Sequence, residues 1–166
     1  MAAVYGEAFS AIASVTRPND TSAYTANDVV GAATGSTAAL AFVNIGRAGT
    51  EVMFTTVQLE IDTNAVPSGM TSFRLYLYGV TPPSALGDNA AYALPSGDRA
   101  SFLGYVDLGT PVNLGGTLYV ETANINKQIT MPPSTTNVLY GYLVTIGGYT
   151  PAAQTVHKVT LHAMGF

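Results

Sequence analysis

Apolar residues in this chain recur every second position, in short runs broken by turn residues. Period-2 alternation is the pattern of a strand with one buried face, and helical spacing is hard to find. Val, Ile, Thr, Tyr and Phe fill the runs, while Gly, Pro, Asn, Asp and Ser interrupt them. The pattern predicts strands near 4–16, 28–31, 38–45, 51–62, 71–80, 101–108, 117–122, 127–131, 137–146 and 155–163. Eight to ten strands with turn signals between them predict an all-β fold, an antiparallel two-sheet sandwich or a barrel. No repeat or low-complexity linker divides the chain, so residues 1–166 read as one domain.

Successive side chains on a strand point to opposite faces, so several faces can be read directly. In 51–62 the odd positions Met53, Val57, Leu59 and Ile61 are apolar, and Gln58, Glu60 and Asp62 are polar. Val52 and Phe54 share the polar side, which predicts a greasy outer end on this strand. In 71–80, Phe73, Leu75 and Leu77 form one face, and Arg74, Tyr76 and Tyr78 the other. In 137–146, Val138, Tyr140, Tyr142, Val144 and Ile146 line one face, with Leu139 and Leu143 opposite. A strand apolar on both sides is covered on both sides. Its cover comes from this chain or from another.

Two long connections stand out. Residues 81–99, TPPSALGDNAAYALPSGDR, carry Leu86, Tyr92 and Leu94 among turn residues. Loops of that length inside a domain are usually functional elements. This one either packs Tyr92 and Leu94 on its own domain or docks on a neighbour. In residues 16–27, TRPNDTSAYTAN, Pro18 and the Asn19-Asp20 pair mark a turn, and Tyr24 is a candidate anchor.

Signals for chemistry are thin. The only histidines, His157 and His162, sit five apart, which on one strand sends them to opposite faces and makes a poor metal pair. They read as ordinary edge or surface histidines. No G-x-S-x-G elbow accompanies them. Glu60 and Asp62 share a strand face at a spacing a glycosidase pair could use, but a solvated polar face explains them better. Asp88, Asn89 and Asp98 could offer oxygen ligands to Ca²⁺, without the spacing of a known loop. No phosphate-cradling glycine motif is present. No catalytic residue, metal or cofactor is therefore expected.

Composition points toward protein partners. Charged residues are only 10% of the chain against 48% hydrophobic, where soluble domains carry about 25% charged. A weakly charged surface is cheap to desolvate, and ten tyrosines offer wide contact area at low entropic cost. Net charge −4 and six scattered Lys and Arg exclude a basic nucleic-acid footprint. No run approaches the roughly 18 apolar residues of a membrane-spanning helix. The start, MAAVYGE, lacks the charged and apolar regions of a signal peptide, so synthesis and retention in the cytoplasm are expected. Cysteine is absent, so rigidity has to come from packing and assembly.

The segments 15–31, VTRPNDTSAYTANDVVG, and 79–108, GVTPPSALGDNAAYALPSGDRASFLGYVDL, resemble small β-rich structural proteins of tailed phages and prophages. TPVNLGGTLYVETANINKQITM at 110–131 and the ending TVHKVTLHAM continue the likeness. Some proteins of that kind are capsid decoration, or cement, proteins with jelly-roll folds. The resemblance implies a virion protein made in a bacterial host. It would sit outside the head and clamp neighbouring subunits of the major capsid protein. It implies a homodimer or, failing that, a trimer. The alternative is a tail-associated module that binds a receptor or carbohydrate, with Tyr76 and Tyr78 as a stacking platform. Candidate contacts are Leu86, Tyr92 and Leu94 in the 81–99 loop, Val52 and Phe54, Tyr76 and Tyr78, and Tyr5 and Phe9 in an N-terminal arm, 1–16.

Overall fold

The computed structural model describes residues 6–34, 37–133 and 137–166. Nine strands form among them: β1 (Glu7–Thr16), β2 (Leu40–Val43), β3 (Glu51–Ile61), β4 (Phe73–Tyr78), β5 (Phe102–Leu108), β6 (Val112–Asn113), β7 (Leu118–Thr130), β8 (Val138–Thr145) and β9 (Val156–Gly165). They make two antiparallel sheets, ordered β1-β9-β3-β7-β6 and β2-β8-β4-β5. The pairs β1–β9, β2–β8, β3–β7 and β4–β5 are nested in sequence and alternate between the sheets. Rolling up one long antiparallel hairpin produces that order, and it defines a jelly roll.

The strands follow the sequence pattern because each inner face is apolar. Phe42, Phe54, Leu59, Ile61, Phe73, Leu75 and Leu77 are fully enclosed between the sheets. Burying each such side chain stabilises the fold by about 1.5–3 kcal/mol before entropy is counted. Several expectations need correction. Residues 28–31 make only isolated bridges, Asp28 to Ala91 and Val29 to Val144. The runs at 117–122 and 127–131 are one strand, β7. The short β6 was not anticipated. The part of the N-terminal arm that is described is β1 itself, paired with β9 over ten residues.

The main correction concerns β3. Its register against both β7 and β9 shifts between Phe54 and Thr56. Across that shift the inward set changes from the even positions Val52 and Phe54 to the odd positions Val57, Leu59 and Ile61. One extra residue in a strand moves everything beyond it to the other face. Val52 and Phe54 are therefore core residues with no exposed surface, not an outer patch. On the facing strand β7 the same irregularity carries Asn124 and Asn126 at φ 56° and 51°, a conformation asparagine tolerates better than most residues.

A third layer covers the outer face of the second sheet. Val29, Ala38, Tyr76, Tyr78, Tyr142 and Val144 form a second apolar cluster there, with Leu86, Tyr92, Leu94 and Phe102 packed on it. This explains why β8 is apolar on both sides: the cover is the chain's own 81–99 loop. Backbone bonds join the loop to residues 27–38, including Tyr92 N–H to Asn27 O at 2.8 Å, Val29 N–H to Ala90 O at 2.9 Å and Ala38 N–H to Leu86 O at 2.7 Å.

Candidate functional site

The loop that the sequence marked as a docking element is fastened at three points. At its tip, Asp88 accepts from the Tyr24 hydroxyl at 2.6 Å, the Gly31 amide at 2.8 Å and Arg17 Nη2 at 3.2 Å. Arg17 Nε donates to the Tyr24 oxygen at 2.5 Å, and Nη1 to the Ala152 carbonyl at 3.2 Å. The Arg17 and Asp88 side chains are essentially inaccessible. Burial opposes the Arg17 charge, yet Tyr24 and Asp88 together raise its pKa above the usual value. Burial and the Asp88 carboxylate drive the Tyr24 hydroxyl pKa upward, so it stays protonated. The two long connections thus share one buried polar knot.

The second fastening is aromatic. Tyr92 stacks on Tyr76 with ring centroids 3.7 Å apart, and its hydroxyl is 2.7 Å from that of Tyr78. In the third, the Tyr142 hydroxyl donates to the Ser84 carbonyl at 2.7 Å and accepts from the Leu86 amide at 3.2 Å. Tyr76 and Tyr78 are buried under this cover and present no open stacking platform. Leu86, Tyr92 and Leu94 are half-buried and face their own sheet. Phe9 is half-buried, packs on the main core and lies against Gly165. Tyr5 falls outside the described residues.

The groups weighed for chemistry are dispersed. His157 faces inward and is buried, unlike the edge or surface residue expected, while His162 is half-buried on the opposite face of β9. His157 shares parity with Val159, Leu161 and Ala163, and that inward pattern was the available signal. Both His157 ring nitrogens and the Tyr149 hydroxyl lack hydrogen-bond partners among the described residues. They border a 10 Å³ void that Ile61, Met70 and Thr155 also line. Burial, with the Arg17 charge nearby, depresses the His157 pKa from 6.5 to about 4 despite a backbone contact to Thr155. Glu60 is paired with Lys158 at 2.7 Å on the outer face. Asp98 accepts from the Ser84 amide at 3.2 Å, and Asp88 is committed to the knot. No three His, Asp or Glu side chains converge as a metal set among the described residues.

What the molecule does present is open apolar surface. Where β4 ends, β5 begins and β7 ends, a hollow of 470 Å³ is walled by Val80, Ala100, Leu103, Met131, Pro132 and Pro133. Val80 is 51% exposed there. The strand registers put Glu7 and Gly165 at the same end of the roll. Phe166 next to them is 64% exposed. Nothing in the sequence pattern marked this hollow, because its walls come from three separate turns.

No family model and no curated protein matches the chain. Among solved structures, it is similar to a chain of the full particle of Israeli acute paralysis virus heated to 63 degrees. The identity is 13% and the TM-score 0.29, over 95% of this chain and 71% of that one. It is also similar to a chain of the native virion of Kashmir bee virus at neutral pH. There the values are 14% and 0.27, over 95% and 68%. Both are virion chains, and overlap at that level is too loose to assign a role. The jelly-roll assignment stands on strand order alone.

Proposed function

We propose that this chain is a decoration protein of a phage head, which binds the outside of the assembled shell and clamps neighbouring subunits of the major capsid protein. The observation that carries the reading is the hollow around Val80, Leu103 and Pro132 at one end of the roll. Contiguous apolar surface of that kind marks a protein contact. The weakly charged composition supports it, since little charge must be desolvated on docking.

The mechanism is linkage. A ligand that binds only the assembled shell stabilises that state by mass action. Repetition over the lattice, and bridging by a homodimer, raises the effective concentration of each further contact. The 81–99 loop serves this indirectly, by sealing its own domain. A carbohydrate-binding role at Tyr76 and Tyr78 would require Tyr92 to lift off its partner.

The test is sedimentation of the purified protein with assembled heads that lack it. Saturable binding is expected, with shells that resist a higher temperature. Val80→Asp, at an exposed position, should lower affinity at least tenfold without changing the melting of the free protein. Absence of binding to any assembled head, or full binding by Val80→Asp, overturns the reading.

A further inference from the structure

Among the described residues the two sheets end in four edge strands: β1, β6, β2 and β5. Exposed edges invite pairing with other chains, and proteins blunt them by shortness, bulges, charge or cover. Three of these edges are blunted. β6 has two residues and β2 has four. β5 is broken by a register shift at Gly104, whose φ is 93°. The Lys127 ammonium lies against that glycine, and Thr122 Oγ1 donates to the Asp107 carbonyl at 3.2 Å.

β1 has none of these protections. Its ten residues pair with β9 in unbroken register, from Glu7 opposite Gly165 to Thr16 opposite Val156. It contains no proline, and no charge between Ala8 and Thr16. Among the described residues its backbone makes no hydrogen bond beyond the β9 ladder. Ile12, at its middle, points outward and is 61% exposed.

We propose that this edge pairs antiparallel with β1 of a second copy, joining the two five-stranded sheets across a two-fold axis at Ile12. The sequence selects that occupant and register. A continuous sheet must keep inward residues opposite inward residues. Centring on Ile12 sets Ile12 against Ile12, Ser10 against Ser14, and Ala11 against Ala13 of the other copy. Apolar then meets apolar, hydroxyl meets hydroxyl and small meets small, and no like charges face each other. Glu7 falls past the paired stretch. The flanking groove between β1 and β2 is walled mainly by alanines, Ala13, Ala32, Ala38, Ala39 and Ala41, while its larger residues Val15 and Leu40 are buried. This surface is the self-association half of the decoration reading, and the experiment uses free protein so that it fails or succeeds independently of head binding.

The chain has no cysteine, so single cysteines report without background. Directly opposed residues in an antiparallel pair have Cα atoms about 4.5–5.5 Å apart, within disulfide reach. Ile12→Cys should therefore oxidise to a covalent dimer. Ser10→Cys should not, because two copies of position 10 lie about 13 Å apart in this register. A mixture of Ser10→Cys and Ser14→Cys should cross-link. Sedimentation of the wild type should show a concentration-dependent dimer, weakened at least tenfold by Ile12→Lys. A monomer at all concentrations overturns the proposal. So does a dimer indifferent to Ile12→Lys, or one cross-linked by Ser10→Cys alone.

Discussion

Tyr92 lies over Tyr76 almost parallel, at an interplanar angle of 16° and a centroid separation of 3.7 Å. One ring comes from the long loop and the other from the outer face of β4, so this contact closes the third layer of the molecule. Tyr92→Ala should cost about 2 kcal/mol, roughly 1 of it from the ring pair. Tyr92→Phe should cost about 1 kcal/mol through the lost hydroxyl bond to Tyr78. Urea denaturation reads both. Faster proteolysis within 81–99 in the alanine variant alone would locate the effect in the loop.

The Arg17–Asp88 pair is the fastening with the largest consequence when half of it is removed. Asp88→Ala leaves a guanidinium enclosed without its carboxylate, at a cost of about 3–5 kcal/mol. Replacing both, Arg17→Met with Asp88→Leu, should destabilise less than Asp88→Ala. Asp20 also faces Arg17, at 3.5 Å, but is partly open to solvent. Asp20→Ala should be much the mildest of these changes, because solvent screens the exposed carboxylate. Additive losses in a double-mutant cycle would contradict a coupled pair.

His157 makes stability depend on pH in a defined window. Its folded-state pKa is depressed from 6.5 to about 4. Above pH 6.5 the ring is neutral in both states and exacts no penalty. As pH falls from 6.5 toward 4 the unfolded chain takes up a proton that the folded chain refuses. Stability is then lost, in total roughly 3 kcal/mol. Melting temperature against pH should fall through that interval, and His157→Leu should flatten it. An unchanged profile in His157→Leu would place the dependence elsewhere.

Thr55 sits where the inward set of β3 changes parity. Deleting it joins Phe54 to Thr56 in continuous phase, which places Val52, Phe54, Val57, Leu59 and Ile61 on one face of an unbulged strand, in register with β9. The core keeps its side chains, and what is lost is the bulge with the Thr55 hydroxyl bond to the His162 carbonyl, worth about 1 kcal/mol. The deletion variant should retain a cooperative melting transition at a lower midpoint, as should Thr55→Ala, and loss of the transition on deletion would contradict this account of the bulge.

The class of fold was legible because each sheet has one enclosed face, and parity in 73–77 or 139–143 reports that face directly. The slip in β3 was legible too, in retrospect: Val52 and Phe54 are even, Val57 to Ile61 are odd, and two threonines separate them. Parity set by the longer run assigns the shorter one to the outer face unless a bulge is placed between them. The cover on Tyr76 and Tyr78 was not decidable, since a tyrosine face has the same chemistry under its own loop or under a partner. Arg17 and Asp88 are 71 positions apart, and no local pattern links residues at that distance. The hollow at Val80 is likewise assembled from turns, where alternation carries no information.

β9 occupies the slot between β1 and β3. During synthesis those two strands leave the ribosome long before the segment that separates them. Until residues 156–165 emerge, the first sheet has a gap bounded by two unsatisfied ladders, and such intermediates are prone to aggregate. Any peptide supplied in trans with the β9 sequence would compete for that gap, giving a route to arrest maturation of the newly made chain.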